Sequence, residues 1–176
     1  MKSLTRKEFF TNIVVEGDRE VLVVGGGPTL QFLVPPQATD DAPCVLKGTI
    51  PPGVSVPVHS HPGIEAFYVL SGHVEVLSES GGKAHWIAAG PGDFVEVPGS
   101  AKHGFRNRSQ QTVVQLITTT SKLGRFFQEI GRPATPGESV TPASPDDLQL
   151  FLKTAERYGY WLAAPEENAA VGISPF

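Results

Sequence analysis

Sulfur is nearly absent from this chain: 176 residues contain one cysteine, Cys44, and one methionine. A single cysteine excludes an intrachain disulfide and a cysteine metal cluster. Cys44 is expected as a small buried hydrophobe rather than a nucleophile. A strong excess of either charge is also missing, with 14 Lys+Arg against 18 Asp+Glu and a net charge of −4. That balance provides no basic footprint for nucleic acid and no patch for an anionic membrane. No apolar run approaches the roughly 18 residues that a spanning helix needs. Lys2, Arg6 and Lys7 are followed by no apolar segment of signal-peptide type, because Ile13-Val14-Val15 is cut off by Glu16, Asp18, Arg19 and Glu20. No signal peptide and a cytoplasmic protein are therefore expected.

A hydrophobic content of 40% with 18% charged residues suits a globular core. Gly (19) and Pro (16) are dispersed between short apolar runs, which points to many turns rather than disorder. Strands are predicted at Glu20–Val24, Thr29–Val34, Pro43–Ile50, Val54–His61, Glu65–Leu70, His73–Ser78, Lys83–Ala88, Asp93–Val97, His103–Arg106 and Thr112–Thr119. Turn residues separate them, among them Pro51-Pro52-Gly53, Ser71-Gly72, Gly81-Gly82 and Gly90-Pro91-Gly92. Short strands at this spacing argue an all-β sandwich or barrel. Gly25-Gly26-Gly27 reads as a turn, since a phosphate loop needs a following Lys-Ser/Thr and a helix.

Helices are predicted at the two ends. Thr5 and Glu8 have capping-box spacing ahead of Phe9-Phe10, giving a short helix within residues 1–12. After Ser121, Leu123, Phe126, Phe127 and Ile130 recur with helical period, and Gly131 and Pro133 stop the run. A Pro-rich connector, Pro133 to Pro142, leads to Ser144-Pro145-Asp146-Asp147, a helix start with a cap residue, proline and first-turn acids. Its apolar stripe is Leu148, Phe151, Leu152, Ala155 and Tyr158, and Gly159 ends it. The tail from Trp161 to Phe176 is expected to be irregular. The apolar stripes need a surface, either the barrel or a subunit partner.

The stretch with most chemistry is Gly53 to Gly72, GVSVPVHSHPGIEAFYVLSG. In a strand, His59 and His61 share a face, and a reversal at Pro62-Gly63 returns Glu65 beside them. Two imidazoles and a carboxylate on one face make a mononuclear metal site. A second stretch runs from Gly92 through Pro98 to His103 and Asn107.

These two stretches resemble the paired motifs of the cupin superfamily. Gly53, His59, His61, Glu65 and Gly72 match the first motif, and Gly92, Pro98, His103 and Asn107 the second. Ser100 departs from the pattern, standing where the family usually has glycine in a turn. The resemblance implies an all-β cupin fold, a double-stranded β-helix or jelly-roll barrel with short C-terminal helices. It implies one domain over residues 1–176, with the barrel at about 20–120 and a helical extension at about 121–176. It also implies that His59, His61, Glu65 and His103 bind one divalent transition metal. Three imidazoles and a carboxylate suit iron, manganese, nickel, copper or zinc better than calcium or magnesium, which prefer oxygen donors. The lack of thiolate argues against a closed structural zinc site. His73 and His85 fit neither motif and are read as ordinary histidines.

By strand alternation Phe67 and Val69 share the face of Glu65, and Phe105 that of His103, forming an apolar pocket wall. Tyr68 and Trp86 face away. No inward Lys/Arg cluster is visible; Lys47, Lys102 and Arg106 are scattered. The whole chain is similar to small cupins related to quercetin dioxygenases, which implies an oxidoreductase acting on a small, mostly apolar or aromatic, flavonol-like molecule. Glu65 would double as metal ligand and catalytic base. Two other classes stay open: a metal-dependent isomerase or lyase, and a non-catalytic small-molecule binding or sensing module. A homodimer is expected, with no nucleic-acid or membrane partner.

Overall fold

In the computed structural model, residues 13–15, 17, 19–135, 137 and 141–173 are described. The helix expected within residues 1–12 lies outside them. Among the described residues, ten strands precede the first helix: β1 (Val21–Val23), β2 (Thr29–Val34), β3 (Pro43–Ile50), β4 (Ser55–Ser60), β5 (Glu65–Ser71), β6 (Val74–Ser80), β7 (Lys83–Ala89), β8 (Phe94–Val97), β9 (His103–Arg106) and β10 (Val113–Thr120). Helix α1 (Ser121–Ile130), strand β11 (Arg132–Pro133), helix α2 (Pro145–Tyr158), strand β12 (Trp161–Leu162) and helix α3 (Pro165–Ala170) follow.

The strands form two antiparallel sheets, ordered β11-β1-β2-β3-β10-β5-β8 and β12-β4-β9-β6-β7. Alternation decides what lies between them. On β3, Cys44, Leu46, Gly48 and Ile50 are buried while their neighbours are less so. On β10, Val113, Gln115, Ile117 and Thr119 are buried in the same alternation. These side chains meet Phe67, Val69, Val74, Val76 and Phe105 in one core contributed by both sheets. The arrangement is the all-β jelly roll of the cupin fold.

The C-terminal helices lie on the barrel and on each other. Helix α1 starts where Thr120 accepts a hydrogen bond from the Leu123 N–H, and it packs on β3 and β10. Gly124 permits this approach, since a Cβ there would lie 2.6 Å from Cys44 Sγ. Helix α2 has the full Ser144–Asp147 capping box, and Gly159 ends it in the left-handed region at φ 73°. Leu123, Phe126, Ile130 and Ala155 form a second core, flanked by Phe151, Tyr158, Tyr160 and Leu162.

The tail differs from its expected irregularity. β12 pairs with β4, and α3 follows. The expectation failed because the segment has no periodicity of its own: its order comes from the free edge of β4. The Ala163 N–H donates to the Val58 carbonyl at 2.9 Å, and the Val58 N–H donates to Asn168 Oδ1 at 2.8 Å. Trp86, expected to face away from the site, lies under this segment, donating to the Val171 carbonyl and stacking with Arg106. Among the described residues, no helix is long and apolar enough to cross a membrane.

Candidate metal centre

His59 sits near the end of β4, directly opposite His103 at the start of β9. His61 follows β4 by one residue, and the chain then turns through Pro62-Gly63 into Glu65, the first residue of β5. Since β4 and β9 belong to one sheet and β5 to the other, the cluster joins the two sheets. The potential ligand atoms of His59, His61, Glu65 and His103 all lie within 4.8 Å of one another. Two donors bonded at 2.1 Å to one ion can be at most about 4.2 Å apart, so the cluster has nearly the required span.

The backbone fixes the imidazoles. The Nδ1 atoms of His59, His61 and His103 contact the carbonyls of Pro57, Gly63 and Ala101 at 2.8, 2.8 and 2.9 Å. A carbonyl only accepts, so each Nδ1 carries the proton and donates. In the neutral ring the Nε2 lone pair is then left for the interior, the arrangement by which backbone groups orient metal-binding histidines. Glu65 Oε2 stands 3.4 Å from His61 Nε2 and 3.5 Å from His103 Nε2. His103 Nε2 is buried and has no hydrogen-bond partner. Such an orphaned donor set, three imidazoles and one buried carboxylate, fits one divalent metal ion.

Electrostatics agree. Burial, the largest influence, pushes the His59 pKa down to about 3, with the other two histidines adding to the effect. Burial alone would raise Glu65, yet the adjoining imidazoles of His103 and His61 hold it down at about 2. Burial opposes protonation of His61 too, but Glu65 outweighs it and the pKa is raised. The cluster therefore presents an ionised carboxylate beside its imidazoles, and a metal would compete with protons for the imidazole nitrogens.

Two contacts lock the loops that carry the ligands. The Ser100 N–H donates to the His61 carbonyl at 2.7 Å. Ser100 takes a left-handed φ of 66°, the conformation for which glycine is the usual choice. The Thr119 hydroxyl donates to the Ile64 carbonyl at 2.7 Å, and Thr119 is opposite Glu65 in register.

The cluster faces a cavity of about 120 Å³ lined by His59, His61, Glu65, Phe67 and Phe105, with Ile117, Phe126 and Tyr160 among the further wall residues. Phe67 and Phe105 meet edge to face at 4.7 Å between ring centres. Val69, the third residue expected in the wall, is fully buried in the core instead and is absent from the lining. It shares the inward face of β5, but it lies opposite Gln115, two inward positions past Glu65. Tyr160 and Gln115 are among the wall residues that the sequence reading missed. Tyr160 follows Gly159 and lies 5.6 Å from the His61 ring, brought there by the C-terminal segment. Gln115 carried a readable signal, as a polar residue at an inward position between Val113 and Ile117.

Comparison with known proteins agrees with this geometry. The family model described as "Cupin domain" matches residues 46–119. No curated protein matches the chain. The fold is similar to an RmlC-like cupin from Shewanella frigidimarina, with 19% identity and a TM-score of 0.51 over 64% of this chain and 92% of that one. It is equally similar to a conserved protein with a double-stranded β-helix domain from Klebsiella pneumoniae, with 19% identity and a TM-score of 0.51 over 71% and 99%. At that identity the likeness speaks for the fold. The family match assigns residues 46–119 to a cupin domain, and that segment holds all four residues of the His59–His61–Glu65–His103 cluster, a group able to hold a metal ion.

Proposed function

We propose that this chain is a metal-dependent enzyme, dioxygenase-like in its chemistry, acting on a small and mostly apolar molecule. The observation that carries the reading is the position of the cluster: of four convergent side chains, His59, His61 and Glu65 line an apolar cavity. His59, His61, Glu65 and His103 would hold the ion, which when bound supplies Lewis acidity and positions for exchangeable ligands.

The cavity narrows the substrate class. Apolar cavities of about 150 Å³ accept a benzene-sized guest. A volume of about 120 Å³ favours one ring, or a short branched chain, over a three-ring flavonol. Phe67 and Phe105 would orient such a guest by edge-to-face contact. Glu65 serves first as a ligand. At a pKa of about 2 it is a weak base, so accepting a substrate proton requires exchange of its contacts with His61 and His103.

The test is oxygen uptake by protein loaded separately with iron, manganese, nickel or copper, offered one-ring enols and catechols as well as flavonols. Uptake with none of them counts against the dioxygenase reading. Turnover that persists without oxygen would favour an isomerase or lyase on the same site. Binding without turnover would favour a sensing module.

A homodimer belongs to the same reading. Tyr68, Leu70 and Phe94 are 43%, 50% and 65% exposed, and Tyr68 pairs with Phe94 on the outer face of β5 and β8. Gel filtration is expected to give twice the chain mass, and a monomer at micromolar concentration removes this part of the proposal.

A further inference from the structure

Among the described residues, two buried side-chain polar atoms have no hydrogen-bond partner: His103 Nε2 and Gln115 Oε1. The first belongs to the metal cluster. The second belongs to a residue that lines the cavity the cluster faces. Gln115 is 4% exposed, so its amide is removed from bulk water. Other buried polar groups are provided for. The buried Thr119 hydroxyl donates to the Ile64 carbonyl at 2.7 Å, and the Asn107 amide nitrogen donates to the carbonyls of Ile50 and Gln111.

The strand register places Gln115 relative to the metal cluster. Along the inward face of β10, Thr119 lies opposite Glu65, Ile117 opposite Phe67, and Gln115 opposite Val69. Four residues at about 3.3 Å each put the Gln115 backbone roughly 13 Å along the strand from the cluster level. Phe67, opposite Ile117, lies between these two levels. On the other flank Gln115 faces Gly48, where a Cβ would lie 2.6 Å from Ile117 Cδ1 and 3.6 Å from Gln115 Cγ. Glycine at 48 leaves room there for both side chains. The cavity thus has a metal end, an apolar middle and one amide at the far end.

We infer that Gln115 is the specificity-determining residue of this cavity, its amide receiving a hydroxyl of a small substrate whose reacting end lies toward His59, His61 and Glu65. The inference rests on the cavity being the substrate site proposed above, and it adds a second polar group to the substrate class. A hydroxyl suits this position because it both donates and accepts, and so pairs with either end of the amide. A substrate lacking that group leaves the amide unpaired, which is how buried polar groups reject apolar analogues.

The test is binding without turnover. Zinc has no redox chemistry, so zinc-loaded protein holds the site intact without reaction. Phenol and toluene, one-ring probes that differ by a hydroxyl, are titrated by NMR into wild type and Gln115→Met. Wild type is expected to prefer phenol. Gln115→Met is expected to lower the phenol-to-toluene affinity ratio at least about tenfold while retaining toluene. The ligand-free variant is expected to melt about 2–4 °C higher, because the unpaired amide is gone. If Gln115→Met folds poorly, Gln115→Leu provides the same comparison. An unchanged ratio in a folded variant overturns the inference and leaves Gln115 as a holder of buried water. Failure of wild type to bind either probe overturns both the inference and the cavity's role. A lost ratio with no oxygen uptake on any substrate leaves the inference standing and removes only the dioxygenase reading.

Discussion

Ser100 and Gly99 are adjacent in the turn that braces His61, and exchanging their side-chain character should have opposite effects. Ser100 has a φ of 66°. A residue with a Cβ in that region is strained by about 1–2 kcal/mol. Ser100→Gly relieves this strain but adds unfolded-chain freedom worth about 0.5–1 kcal/mol. The net expectation is stabilisation by about 0.5–1 kcal/mol, or a rise in Tm of about 1–4 °C. The bond from residue 100 to the His61 carbonyl uses the backbone N–H, so glycine keeps it and metal affinity should not change. Gly99→Ala acts differently. Its φ is not in the left-handed region, but its Cβ would collide with the Pro62 carbonyl oxygen, which is backbone and cannot rotate away. Crowding of this kind costs about 1–3 kcal/mol, and it displaces the Pro62-Gly63 turn, whose Gly63 carbonyl orients His61. Urea unfolding of both metal-free variants measures the pair, metal-free so that ion binding does not contribute. Destabilisation by Ser100→Gly, or neutrality of Gly99→Ala, would refute the reasoning.

Metal affinity should rise with pH, because the ion must displace the proton that Glu65 helps His61 to retain. Competition titrations at pH 5.5 and 7.5 should differ by at least tenfold, and equal affinities would contradict the linkage. Stability of the metal-free protein should fall as pH drops from 6.5 toward 3, since unfolding lets His59 take the proton that burial denies it in the native state. A urea midpoint independent of pH over that range would contradict it. Asn168→Ala should cost about 1–3 kcal/mol by leaving the Val58 N–H without its acceptor. It should also weaken metal binding, because Val58 adjoins His59 on β4, and calorimetry showing unchanged affinity would separate the C-terminal segment from the site.

Much of this fold was readable because its strands obey a two-residue period between strong punctuation. Pro43–Ile50 and His103–Arg106 are bounded as their sequence indicates. The cluster was readable because His59, His61 and Glu65 are close in sequence and His103 falls in a second recognisable motif. What the sequence concealed depends on tertiary contact. The pairing of Trp161–Leu162 with β4 follows from an available sheet edge, not from local propensity. Tyr160 reaches the cavity because α1 and α2 pack together and direct the chain there. Val69 was expected in the wall because alternation gives a face but not which neighbours cover the side chain, and at Val69 the core covers it completely. The Ser100 substitution hid a left-handed turn behind a residue that rarely adopts one.

The central claim is that His59, His61, Glu65 and His103 hold one divalent metal ion. Elemental analysis of purified wild type, His59→Ala and His103→Ala, each with folding checked by circular dichroism, tests it most directly. The expected result is about one equivalent of a transition metal per chain in wild type, lost from both folded variants. Unchanged metal content in both variants would contradict the assignment.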